Sequence, residues 1–283
     1  MDQIPIYTTI QSGNARLTLK IYPKPGADTI ILLHGGPGVP DELTEVRETL
    51  APYFRVITFN QRGTGPGGHK GCTYTIPDYL DDLNRIGQHL ELSSFHLFGH
   101  SWGGLYAQLY AKACPEKIMS LFLCSPASGC GREIWKLTER EVFLYNQKRS
   151  GTIEWIGMGL NSMLGILGSS QAYRKLFRQV ILNYHKGYNV EPPDPEKLAG
   201  INAPAVNRTR RQVARYAPLG PFGHTAFPVI ITYGDQDAYG KSREFVFLRF
   251  PEARYVTISR CGHTPWKHNL PEFRKILENF YVI

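Results

Sequence analysis

Apolar residues in the first 125 positions fall into two spacings. Thr29–Leu33, Arg55–Phe59, 95–98 and Ile118–Cys124 are short, nearly continuous apolar runs. Such runs are expected of parallel strands buried on both faces. Residues 15–24 alternate weakly and predict an earlier, antiparallel strand. Between the runs, positions 42–50, 77–90 and 105–113 carry apolar residues at helical spacing. Pro77 suits a first helical position, where its missing N–H costs nothing. Strands alternating with helices predict right-handed βαβ units and a mostly parallel, doubly wound sheet.

The pattern then changes. From about residue 132 to 216 the spacing is helical, with candidates at 134–149, 153–167, 172–184 and 205–216. The proline-rich stretch 190–195 reads as a loop. Strand signals resume at 228–233 and Arg254–Ile258, and 271–280 fits a last helix. The expected organisation is a core of residues 1–125 and 226–283 with a helical cap, 126–225, inserted between its halves.

Charge marks the same segment. The chain has 283 residues, 42% of them hydrophobic, and a formal net charge of +8. That length and apolar content allow a large core and exclude global disorder. Residues 126–225 hold 14 Lys and Arg against 7 Asp and Glu, so nearly all the excess is local. Two uses fit it: steering of an anionic substrate, or solvated outer helix faces. No nucleic-acid motif accompanies it, so nucleic acid is not an expected partner. No apolar run approaches 18 residues, so no membrane span is expected. The N-terminus lacks a signal-peptide pattern. Five cysteines without CxxC spacing predict reduced thiols, a cytoplasmic location and no zinc site.

The chemistry-bearing motifs sit where predicted strands end. Gly99-His100-Ser101-Trp102-Gly103-Gly104 follows one strand and opens a helix. It matches G-x-S-x-G, in which a tight turn lifts a serine hydroxyl above the sheet. Alone, that pattern arises by chance in roughly one such chain in eight. His34-Gly35-Gly36-Pro37-Gly38 follows the strand Thr29–Leu33 and arises by chance about once in 1,600 chains. A glycine-rich turn there can expose backbone N–H groups to a tetrahedral oxyanion, and the amides of Gly36 and Trp102 are the candidates. Tyr233-Gly234-Asp235-Gln236-Asp237 offers two acids, Asp235 and Asp237, after a later strand. His263 lies in a loop before the last helix and is the expected base, with His268 and His224 as alternatives. The order serine, acid, histidine differs from both protease orders and is that of one hydrolase fold.

These residues carry a resemblance. With Asn60-Gln61-Arg62-Gly63-Thr64-Gly65, the two glycine motifs resemble the proline iminopeptidase group of the α/β-hydrolase family. The resemblance covers essentially the whole chain. It implies an α/β-hydrolase fold with an inserted helical cap, and a serine hydrolase working through an acyl-enzyme without metal or organic cofactor. It maps the acid to Asp237 and the base to His263. It favours small peptides or amino-acid amides. The cap's positive charge favours instead a neutral or anionic ester or lactone, because an ammonium needs a carboxylate. A binding protein on a hydrolase fold is a third reading. After Gly65 the chain runs Pro66-Gly67-Gly68-His69, where the group has a serine.

Two further expectations concern the substrate. Trp266 and Trp155 are assigned to substrate binding. The apolar helix around Met158, with glycines at 157, 159 and 165, either packs as core or lines an acyl or ring pocket. The expected partner is a small molecule or short peptide.

Overall fold

The computed structural model describes residues 4–65 and 71–283. The departure from the family pattern at Pro66–His69 lies outside them, as do the first three residues.

The four apolar runs are adjacent strands in the middle of one eight-stranded sheet. The strands are β1 (Ile6–Ser12), β2 (Ala15–Tyr22), β3 (Thr29–Leu33), β4 (Arg55–Phe59), β5 (Phe95–His100), β6 (Ile118–Cys124), β7 (Val229–Gly234) and β8 (Arg254–Ile258). They lie side by side as β1-β2-β4-β3-β5-β6-β7-β8. β2 pairs antiparallel with β1 and β4, and every other pairing is parallel. The strand pleat sends alternate residues to opposite faces. Ile31 and Leu33 therefore join one core with Leu97 and Leu123, whereas Ile30 and Leu32 join another with Phe98 and Phe122.

Helices cover both faces. α2 (Ile76–His89) and α3 (Trp102–Ala113) pack on the first core, and α1 (Thr44–Leu50) and α10 (Leu270–Tyr281) on the second. α2 begins in a full capping box, with Thr75 and Asp78 satisfying each other's amides. Between β6 and β7 stand four helices: α4 (Arg132–Arg149), α5 (Thr152–Ile166), α6 (Ser170–His185) and α7 (Ala203–Arg215). They form the helical insertion.

Three elements escaped the sequence pattern. β1 pairs with β2 through the turn at Gly13 and Asn14, and its exposed edge position leaves it few apolar residues. The others are the short helices α8 (Glu244–Arg249) and α9 (Pro265–His268). All five cysteines are unpaired. Among the described residues no helix is long and apolar enough to cross a membrane.

Candidate active site

The site is built by strand ends. In a parallel sheet the carboxyl ends share one edge, and the loops leaving β3, β5, β7 and β8 meet there.

Ser101 occupies the turn between β5 and α3. Its φ is 54° and ψ −118°, a conformation that L-residues avoid. The surrounding sequence permits it. A Cβ at Gly99 would collide with the Gly103 carbonyl, and one at Gly103 with the carbonyls of Leu33 and His34. Gly104 presses on Pro126 in the same way. Each glycine thus allows a close approach that holds the serine over the sheet edge.

His263 Nε2 lies 3.0 Å from Ser101 Oγ, and His263 Nδ1 lies 3.0 Å from Asp237 Oδ1. All three side chains are buried. Burial alone would push the Asp237 carboxyl up, but the adjacent His263 ring and the Tyr239 N–H outweigh it and hold the carboxyl below its ordinary value. Asp237 is therefore ionised at neutral pH and able to orient the imidazole.

The other acid and histidines have separate tasks. Asp235 accepts from the amides of Arg260 and Cys261 at 2.9 Å each, fastening the turn before His263. His268 accepts from the Gly262 amide and stacks on Tyr188. His224 is exposed beside Glu252.

Trp102 follows the serine directly, and Gly36 lies in the turn after β3, the strand next to β5. Trp102 opens α3, so its amide has no acceptor within the helix. Gly36 has φ +135°, which favours glycine. Among the described residues, no turn or loop hydrogen bond uses either amide. Gln61 braces both: its Nε2 donates to the His34 carbonyl, and its Oε1 accepts from the Trp102 indole. The Trp102 ring is buried against Tyr79 and Tyr106. Next to Gln61, Arg62 grips Asp82 with two hydrogen bonds and anchors the loop on α2.

Three residues that the sequence did not single out surround the triad. The Tyr239 hydroxyl is 3.2 Å from Ser101 Oγ, and its ring stands edge-on to His263. Tyr184, from α6, also contacts that ring, with centroids 4.8 Å apart. Glu42 reaches His100, the residue before the nucleophile, at 3.3 Å. Tyr239 sits two residues after Asp237, the one signal that could have found it.

A cleft of about 830 Å³ opens between the 39–47 segment and the 189–198 loop of the insertion and reaches this group at Glu42. Trp266, Thr264 and His185 line it. So do Asp41, Glu42, Glu191 and Asp194 together with Lys20, Arg47 and Lys197, while Glu45 is engaged by Lys267. The burial that would raise the Glu42 carboxyl is outweighed by its close polar contact with His100, and the group is held low. Trp155 is half-buried in α5, edge-on to Phe143, and no ring contact joins it to a triad residue. A second cleft, about 660 Å³, lies at the amino ends of β3 and β4, the opposite edge of the sheet.

A strained serine, an imidazole and an ionised carboxylate thus stand within hydrogen-bond reach of one another. Residues 28–266 match the model of the alpha/beta hydrolase fold. The chain belongs to the α/β-hydrolase family. This hydrolase is 33% identical over 274 residues to a proline iminopeptidase of Clostridioides difficile (strain 630), spanning 89% of each chain. The structure of proline iminopeptidase from Mycobacterium smegmatis shares its fold, with a TM-score of 0.66, 17% identity and 97% of both chains covered. The enol-lactonase from Burkholderia xenovorans LB400 does so too, at a TM-score of 0.69 and 16% identity, with 98% of this chain and all of that one covered.

Proposed function

We propose that this hydrolase cleaves small amides or esters through an acyl-enzyme on Ser101, with iminopeptidase-like selectivity for a free amine. The observation that carries the reading is the pair of 3.0 Å contacts joining Ser101, His263 and Asp237.

The chemistry follows from the protons. His263 Nε2 takes the Ser101 hydroxyl proton as Oγ attacks the substrate carbonyl carbon. The carbonyl oxygen becomes an oxyanion facing the amides of Gly36 and Trp102. Asp237 holds the His263 tautomer and stabilises the imidazolium. The imidazolium protonates the leaving amine or alcohol, and the carbonyl–heteroatom bond breaks. Water then attacks the acyl group, gives its proton to His263, and Ser101 departs with that proton. The Tyr239 hydroxyl keeps Ser101 Oγ in its attacking position. No step calls for a metal or organic cofactor.

The amine preference rests on the cleft. An ammonium entering a protein needs an ionised carboxylate to replace its hydration. The helical insertion alone looked too basic to supply one. In the fold, Asp41 and Glu42 come from the core, and Glu191 and Asp194 from the insertion's loop. These four carboxylates, with Glu45, share the cleft with Lys20, Arg47, Lys197 and Lys267, so its charge is mixed and an ammonium would be held by a carboxylate that no cation engages, Glu42 first among them. Trp266, buried on its edge, forms part of the wall.

The test compares proline p-nitroanilide with p-nitrophenyl acetate. The anilide should be cleaved with the higher kcat/KM. Ser101→Ala should lower turnover on both by at least about 10³-fold. Ester cleavage without anilide cleavage would assign an esterase or lactonase instead. Turnover unchanged in Ser101→Ala would refute the acyl-enzyme.

A further inference from the structure

We infer that the α5–α6 hairpin is a docking surface for an anionic lipid bilayer. The stripe Ile153, Ile156, Leu160, Met163, Leu164 and Leu167 advances by three or four residues at a time, apart from one adjacent pair. At helical spacing these positions form one face. That face is solvent-exposed: Ile153 retains 84% of its accessible surface, Ile156 67% and Leu167 77%. Contiguous apolar surface of this kind marks an interaction site.

The helix is held from behind. Gly165 admits the Tyr173 ring of α6, and Asn207 of α7 donates to the carbonyls of Gly165 and Ile166. Met158 is buried on the same inner side. The structure therefore fixes the apolar stripe outward on a braced scaffold.

Charge selects the partner. Across α5 and α6 the one acid is Glu154, in the first turn of α5, against the cations Arg174, Lys175 and Arg178, with Lys186 just beyond. Arg174, Lys175 and Arg178 are exposed, and they begin seven residues beyond Leu167, across the turn joining α5 to α6. Aliphatic side chains beside cations suit the boundary between acyl chains and anionic headgroups. A symmetric second copy would bring two cation-rich hairpins together, whereas an anionic surface complements them. The stripe also carries no hydroxyl, amide or charge with which to satisfy a protein partner's polar groups. Its 15 residues reach about 23 Å, short of the roughly 30 Å hydrocarbon core, so the helix lies on a bilayer and does not cross it.

The test is co-sedimentation with vesicles. Full-length protein should pellet with phosphatidylglycerol–phosphatidylcholine vesicles at low salt, and at least tenfold less with pure phosphatidylcholine. Ile156→Glu with Leu160→Glu should cut the partition coefficient at least tenfold. So should Arg174→Glu with Lys175→Glu, which leaves the stripe intact. Hydrolysis of a soluble ester should stay within twofold in every variant, which excludes misfolding. Failure of the unsubstituted protein to bind anionic vesicles would overturn the inference, as would binding indifferent to both double variants. Size exclusion supplies the remaining outcome: a dimer split by Ile156→Glu with Leu160→Glu would assign the face to a second copy and overturn the lipid.

Discussion

Two apolar helices of this hydrolase meet opposite fates. α3 is buried from Trp102 through Ala111, on all sides. α5 is at least as apolar, yet its buried residues are Met158 and Gly165. The difference lies in what surrounds them. α3 is wedged between the sheet, α2 and Pro126, so every face meets a partner. α5 is packed by α6 and α7 from behind and meets α4 at Trp155, and among the described residues its far face is exposed. An apolar helix states that a face needs cover, and only the assembled fold shows whether the cover comes from the same chain.

The sharpest way to break the comparison is at the catalytic end of α3. Asp237→Asn should lower kcat by about 10⁴, because the amide no longer fixes the right imidazole tautomer. Asp235→Asn, which fastens only the 260–261 turn, should cost about tenfold or less, since one amide oxygen still accepts. Steady-state rates on one chromogenic substrate decide the matter. Equal losses would mean that turn geometry, and not the carboxylate on His263, governs the rate.

Next in size comes the packing of α3. Gly103→Ala drives a methyl into the backbone carbonyls of Leu33 and His34, which cannot yield without moving β3. Overpacking of this kind should destabilise by about 3 kcal/mol. Denaturant unfolding measures it. A loss below about 1 kcal/mol would show that the elbow is looser than its contacts imply.

How much of this was readable beforehand follows the same division. The central strands, the serine turn and the order of triad residues were legible, because buried parallel strands and tight turns restrict the residues they accept. Asp237 needed the resemblance: spacing alone left Asp235 open, and the fold separates them by their hydrogen bonds. β1 was missed because an edge strand needs few apolar residues. Tyr239 comes to Ser101 from 138 positions after it and Glu42 to His100 from 58 before, and no local period encodes such meetings. For α5 the pattern showed an apolar helix but could not say which side would stay bare.

The seam between core and insertion should report on acid. His268 is pushed down to about 3, first by burial and then by the neighbouring charges of His185 and His263. In the unfolded chain an imidazole takes its proton near pH 6.5. Between those values the unfolded state binds the additional proton, so stability should fall as pH drops from about 6.5 towards 3. Tm recorded at pH 7 and pH 5 tests this. His268→Gln should remove part of the decline, and a variant whose decline is unchanged would place the acid sensitivity elsewhere.

The smallest effect is the most diagnostic for α5. Gly159 faces open space, with no atom within 4 Å of an added Cβ. It lies in the middle of a helix, where glycine costs about 0.5–1 kcal/mol relative to alanine. Gly159→Ala should therefore stabilise by roughly that amount, the opposite sign from Gly103→Ala. The two changes are chemically identical, a hydrogen replaced by a methyl in an apolar helix. Their sign depends solely on whether the fold has already filled the space. The bilayer reading adds a condition: the new methyl lies beside the stripe and leaves vesicle binding intact. If Gly159→Ala destabilised instead, that side of α5 would be packed against something in solution, and the contrast with α3 would fail.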